Sequence, residues 1–293
     1  MPYGTASTMT TAFGDIAYLD RGVGLPVLVV HGSPGGADQG AQLADFLVAA
    51  GFRAITPSRP GYRGTALTEA NASIDAQADA HAALMSGLGI DRFALMCWSG
   101  GGPSTYRLAA RHPRRIKALV TLAAVSKEDH WDDSFFERFA FETRFGNWLL
   151  QRYARIAPKS FVSATLAAEG TLTKPALKSL TESVMADELK RNVILSMAEG
   201  ASRLPPHRDG IRNDMANFAA IADLELSRIS CPTLLIHGRN DRDVLPEHSE
   251  FAASEIADSV LEWMTPGTHV CVYTEPDSER AQAQIIDFFE VNN

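Results

Sequence analysis

Three residues of this chain have the types and order needed for nucleophilic acyl chemistry. Ser99 ends the run Phe93-Ala-Leu-Met-Cys-Trp-Ser99 and is followed by Gly-Gly-Gly-Pro103. Asp241 follows Thr233-Leu-Leu-Ile-His-Gly-Arg-Asn, and His269 closes Pro266-Gly-Thr-His269. A serine hydroxyl is a weak nucleophile until an imidazole takes its proton and a carboxylate holds that imidazole in one tautomer. Ser99 is therefore the expected nucleophile, His269 its base and Asp241 the orienting acid. Asp243 and Glu128 are alternative acids, and Asp241 is preferred because it stays nearest its strand end.

A strand running straight through a serine into a helix is the setting of a nucleophile elbow, which needs small residues two before and two after the serine. Gly101 meets that need, and Cys97 stands where a glycine is usual. The carbonyl oxygen of an acyl substrate gains negative charge during attack and calls for two backbone N–H donors. Gly100 is one expected donor. His31-Gly-Ser-Pro-Gly-Gly36, after an earlier apolar run, supplies the other, with Ser33 first and Gly35 in reserve, since Pro34 has no N–H. His31 itself reads as a structural residue.

The elements that must position these groups follow a strand and helix rhythm, the pattern of a parallel sheet with crossover helices. Strands are expected at Pro26–Val30, Arg53–Thr56, Phe93–Trp98, Ile116–Ala123, Thr233–Ile236 and Ser259–Trp263. Helices are expected at Gln39–Ala50, Ile74–Leu88, from Pro103 to about Arg111, and from Ser278 to Phe289. Catalytic groups in such sheets gather at the carboxyl ends of the strands, so Ser99, Asp241 and His269 are expected to converge. Between about Ser126 and Ala222 the strand signal vanishes. The expected organisation is thus a core of residues 1–125 and 223–293 interrupted by a helical cap over 126–222. Trp131, Phe135, Phe136, Phe139, Phe141, Phe145, Trp148, Leu149 and Tyr153 crowd its start and are expected to give the pocket apolar walls. Arg203, His207, Arg208 and Arg212 are candidates to bind a substrate carboxylate, with a solvated cationic edge the preferred reading.

Composition narrows the partners. The chain has 293 residues, 45% hydrophobic content and a net charge of −8, with no basic run to hold a phosphate backbone, so nucleic acid is not expected. No apolar run approaches the roughly 18 residues of a membrane helix. The beginning of the chain has no basic segment followed by an apolar one, and the three cysteines form no disulfide or metal-binding spacing. A soluble, cytoplasmic protein without metal or organic cofactor is expected, acting on a small, partly apolar acyl compound, with the oligomeric state open.

Taken together, the His31–Gly36 loop, Ser58-Arg-Pro-Gly-Tyr-Arg-Gly-Thr65, Cys97-Trp-Ser-Gly-Gly-Gly102, Gly238-Arg-Asn-Asp241 and Pro266–His269 resemble the α/β-hydrolase superfamily, specifically its cap-bearing, esterase-like bacterial members, over nearly the whole chain. The resemblance implies the α/β-hydrolase fold, a mostly parallel central sheet flanked by helices with an inserted helical cap, and a serine hydrolase working through an acyl-enzyme. It departs at Cys97, and at Ser58, Arg63 and Thr65, where the family's D-x-x-G-x-G-x-S segment has Asp, Gly and Ser. Because the nucleophile position holds serine, the resemblance does not extend to the chemistry of haloalkane dehalogenases or epoxide hydrolases, which use aspartate there. Amide or carbon–carbon bond hydrolysis and perhydrolysis can use the same three residues, and a ligand sensor can retain them without turnover. An aminopeptidase would need cap carboxylates directed at the substrate amine, for which Glu182, Asp187 and Glu188 are candidates.

Overall fold

In the computed structural model, residues 3–130, 135–205 and 207–292 are described. Eight strands form one sheet: β1 (Ser7–Thr11), β2 (Gly14–Arg21), β3 (Pro26–Val30), β4 (Arg53–Pro57), β5 (Phe93–Trp98), β6 (Ile116–Leu122), β7 (Thr233–Gly238) and β8 (Ser259–Met264). Their spatial order is β1-β2-β4-β3-β5-β6-β7-β8. From β4 to β8 every pairing is parallel, while β1 and β2 are antiparallel additions at one edge.

The parallel strands are short apolar runs because both faces are covered. Leu28 and Val30 of β3 and Leu95 and Cys97 of β5 belong to one apolar cluster, whereas Val27, Val29, Met96 and Trp98 belong to the other. Alternation along each strand thus feeds two cores, one on each side of the sheet. Helices Ile74–Gly87 and Gly102–Arg111 contribute to the first cluster, and Ser278–Val291 to the second. The Ser73 hydroxyl starts the first of these by accepting from Ala76 N at 3.2 Å, and Pro103 occupies the first turn of the second.

The antiparallel hairpin β1–β2 was not among the expected strands. β1 is polar and largely exposed, and β2 is polar at both ends, so the apolar mark of the hairpin is confined to the short buried run Ile16-Ala-Tyr-Leu19. The expected helix Gln39–Ala50 is two shorter ones, Ala37–Leu43 and Asp45–Ala49, joined at Ala44.

Strand order reverses between β3 and β5, which pair directly, Val30 opposite Cys97. The loop after β3 and the turn after β5 therefore leave the sheet side by side, the position where ligands bind in open α/β sheets. Between β6 and β7, six helices span Phe135 to Ala219 among the described residues, with no strand of the sheet among them.

Candidate active site

Ser99 is held in a left-handed backbone conformation, φ 54°, at the junction between β5 and the helix that follows. Such a conformation costs a non-glycine residue about 1–3 kcal/mol and persists only where its surroundings impose it. Val125 N donates to Ser99 O at 3.1 Å, tying the turn to the segment after β6. A Cβ on Gly101 would lie 2.7 Å from His31 O and 2.8 Å from Val30 O, so this position must be glycine. Cys97 is tolerated because its side chain points into the apolar cluster that holds Leu95 and Tyr106. Burial pushes its thiol up to about 12, which makes it an inert filler.

At the end of β7, Asp241 is buried and faces the His269 ring, with Oδ2 at 2.8 Å from Nδ1. Its other oxygen, Oδ1, accepts from Asp243 N at 2.9 Å and Val244 N at 3.1 Å. Burial alone would raise the Asp241 carboxyl, but His269 and the hydrogen bond from His237 outweigh it and hold the group down at about 2. His269 is fixed from behind as well. Trp98 Nε1 donates to its carbonyl at 3.1 Å, and the two rings lie 5.1 Å apart.

Two further carboxylates reach the opposite side of the imidazole. Asp243 Oδ2 lies 3.2 Å from His269 Nε2, and Glu169 comes from the helical segment between β6 and β7. Burial disfavours a charged imidazole here, yet Asp241, Asp243 and then Glu169 outweigh it and push His269 up to about 10. Burial, reinforced by the Asp243 charge, raises the Glu169 carboxyl well above the usual carboxylate range. Glu169 is held in place by its backbone: His269 N donates to Glu169 O at 3.0 Å, Thr171 N donates to Asn240 O at 2.8 Å, and Gly170 bridges to Asp241.

The loop after β3 brings Ser33 against Gly100, where an added Cβ would collide with Ser33 Oγ and lie 2.9 Å from Phe218 Cζ. Ser33 is positioned by a buried ion pair. Arg59 Nη1 and Nη2 donate to Asp214 at 2.7 and 2.8 Å, Arg59 Nη2 also reaches Ser33 Oγ at 2.7 Å, and Ser33 Oγ donates to Asp214 Oδ2 at 2.6 Å. Tyr62 OH donates to the same carboxylate at 2.5 Å. His31 braces the loop, its Nε2 accepting from Arg59 N at 2.9 Å and its Nδ1 facing Gly32 O at 2.7 Å. Burial and the Arg59 charge hold it neutral, well below an ordinary histidine.

Ser33, Ser99 and His269 line one cavity of about 190 Å³, together with Phe141, Glu169 and Arg203 from the helices between β6 and β7. The sequence pattern of the alpha/beta hydrolase fold family matches residues 26–273. The chain belongs to that family. A solved alpha/beta hydrolase fold protein from Nakamurella multipartita is 44% identical, with 99% of this chain and 100% of that one aligned at a TM-score of 0.94. A putative non-heme chloroperoxidase from a Synechocystis strain is 27% identical over 94% of this chain and 96% of its own length. Haloalkane dehalogenase 2 from Mycobacterium tuberculosis H37Rv is 27% identical over 94% of this chain and 92% of its own.

Several residues singled out in the sequence lie elsewhere in this alpha/beta hydrolase. Glu128 is exposed and faces His130 Nε2 at 2.9 Å, which removes it from the imidazole of His269. Gly35 packs on His31 and lines a neighbouring groove with Asp38, whereas Ser33 and Pro34 of the loop line the cavity, and of these two only Ser33 has an N–H. Of the aromatic cluster, Phe141 lines the cavity, whereas Phe145, Trp148, Leu149 and Tyr153 are exposed, because helix Arg144–Ile156 turns Gly146, Asn147 and Ala154 inward. Trp131 and the side chains of Phe135 and Phe136 lie outside the described residues. Arg203 and His207 are buried rather than solvated, with Arg203 at the cavity wall and 3.3 Å from Glu142, while Arg208 and Arg212 are exposed as expected. Glu182 lies 3.9 Å from Lys159 and Asp187 caps a helix, so neither turns to the cavity. A groove of about 560 Å³ between helices of the same segment is larger, but Gln151, Arg155 and Met185 line it and no strand-end residue does. Among the described residues no helix is long and apolar enough to cross a membrane.

Proposed function

We propose that this alpha/beta hydrolase is a serine hydrolase cleaving a carboxylic ester or related acyl compound through an acyl-enzyme. One observation carries the reading: Ser99, forced to φ 54° at a strand end, opens into the same cavity as a buried imidazole whose Nδ1 is held 2.8 Å from Asp241. In this reading Ser99 Oγ attacks the carbonyl carbon while His269 Nε2 takes its proton. The Ser33 and Gly100 N–H groups stabilise the oxyanion, and His269 returns the proton to the leaving alkoxide. Water then attacks the acyl-enzyme by the same route and frees Ser99. Residues 126–222 act as a cap, supported by Phe141, Glu169 and Arg203 at the cavity wall. Displacement of halide does not transfer from the dehalogenase relative, because Ser99 stands where those enzymes are expected to carry aspartate.

A fluorophosphonate tests the assignment directly. One label per chain, on Ser99, and hydrolysis of short p-nitrophenyl esters are the expected results. A label on another residue, or labelling of Ser99 with no turnover on any acyl substrate, would overturn it.

The carboxylates around His269 also set a pH dependence. The base must be neutral, and its pKa is raised, so kcat/KM for the free enzyme should be low below that pKa and rise with pH along an acid limb displaced upward from an ordinary imidazole's 6.5. Asp243→Asn removes one of the charges that raise it and should move that limb to lower pH. The profiles are recorded with a chelator present, and a wild-type limb centred at the ordinary value contradicts the electrostatics described.

A further inference from the structure

We infer that His269, Asp243 and Glu169 form a zinc-type divalent-cation site whose occupation switches the proposed active site off. One ligand atom from each of the three lies within 4.8 Å of the others. Two of these side chains present a buried atom without a hydrogen-bond partner: His269 Nε2, on a residue 3% exposed, and Glu169 Oε2. Asp243 Oδ2 approaches Nε2 to 3.2 Å but is not aligned for a hydrogen bond. That spacing suits coordination, because two ligands about 2.0–2.1 Å from a tetrahedral zinc stand about 3.3 Å apart.

The donor set has the chemistry of such a site. One imidazole and two carboxylates leave a fourth position open and favour zinc over magnesium, which prefers six oxygens and holds its waters tightly. A zinc-bound imidazole usually donates its other ring N–H to a carboxylate, which fixes the tautomer and strengthens the donor. Asp241 Oδ2, 2.8 Å from Nδ1, already supplies that partner. The third ligand is preplaced by backbone rather than by a mobile side chain alone. Glu169 O accepts from His269 N at 3.0 Å, and the next residue, Gly170, packs so closely that a Cβ would lie 2.7 Å from Thr268 Cγ2.

Inhibition follows from a single electron pair. The Nε2 lone pair that would take the Ser99 proton is the one a cation coordinates, and it cannot serve both. This consequence rests on the proposed role of His269 as base; cation binding does not.

Titration calorimetry of the full chain with zinc chloride, after chelator treatment, is paired with the rate of fluorophosphonate labelling at each zinc concentration. One zinc per chain should bind, labelling of Ser99 should slow in proportion to occupancy, and excess chelator should restore it. Magnesium at the same concentration should do neither. Glu169→Gln and Asp243→Asn, each shown to melt as the wild type does, should weaken zinc binding at least about tenfold. If Glu169→Gln does not fold, Asp243→Asn alone decides. The cation site is overturned if the wild type binds no zinc, or if the folded variants bind it as tightly as the wild type. Zinc that binds through these residues yet leaves labelling at the metal-free rate would keep the site and overturn His269 as the base.

Discussion

Ser99→Ala is expected to lower kcat on a p-nitrophenyl ester by about 10⁶-fold and Asp241→Asn by about 10⁴-fold, with both proteins folded. The second value follows from the hydrogen bonds of Asp241. Its Oδ1 accepts two backbone N–H groups, from Asp243 and Val244, so an asparagine keeps its carbonyl oxygen there. The amide NH₂ must then replace Oδ2, the atom 2.8 Å from His269 Nδ1. An NH₂ can only donate, so Nδ1 becomes the acceptor and the ring proton moves to Nε2. The imidazole that results can no longer take the Ser99 proton. Asp243→Asn leaves the Nδ1 contact untouched and should cost about tenfold or less at a pH where His269 is neutral. If Asp243→Asn loses activity by orders of magnitude and Asp241→Asn does not, the acid has been wrongly assigned.

The parallel part of the sheet could be read from the sequence because it is buried on both faces. Runs such as Val27-Leu-Val-Val30 and Phe93-Ala-Leu-Met-Cys-Trp98 have no other use than to feed two cores, and strand ends mark where Ser99, Asp241 and His269 stand. The order of Asp241 and Asp243 along the loop also pointed to the residue found against Nδ1. What escaped lies where period and strand ends give no signal. Glu169 sits in a helical segment whose pattern reports only which face is apolar, and its approach to His269 depends on how that segment packs on the sheet. Arg203 could be seen as a cation but not as a buried one, for the same reason. Strand β1 escaped because it is a polar, largely exposed edge, and β2 because its buried apolar run, Ile16-Ala-Tyr-Leu19, is too short for its period to tell strand from helix. Arg59 and Asp214 are far apart in sequence, and nothing local in either segment foretells their pairing.

That pair carries the second large effect. Asp214→Leu, which strands a buried guanidinium, should lower stability by about 3–5 kcal/mol and the melting temperature by the order of 10 °C. Both side chains are only 2% exposed, and Asp214 collects four donors, two from Arg59 and one each from Ser33 and Tyr62. Removing the carboxylate takes that acceptor from the buried Arg59 Nη1 and Tyr62 OH and from the Ser33 hydroxyl, while Arg59 Nη2 keeps Gly32 O at 2.9 Å and Ser33 Oγ at 2.7 Å. Arg59→Met together with Asp214→Leu removes the charge as well as its partner, so part of the lost stability should return. Activity should not return with it. Asp214 belongs to helix Arg208–Ala219 and Arg59 to the segment after β4, and between them they hold the Ser33 hydroxyl beside Gly100. With both gone, the loop is free to shift its N–H away from the oxyanion, a loss of about 10²-fold in kcat. Thermal denaturation and kcat measured on the single and double variants separate the two roles. A double variant that recovers stability and full kcat would mean that the ion pair braces the fold without positioning Ser33.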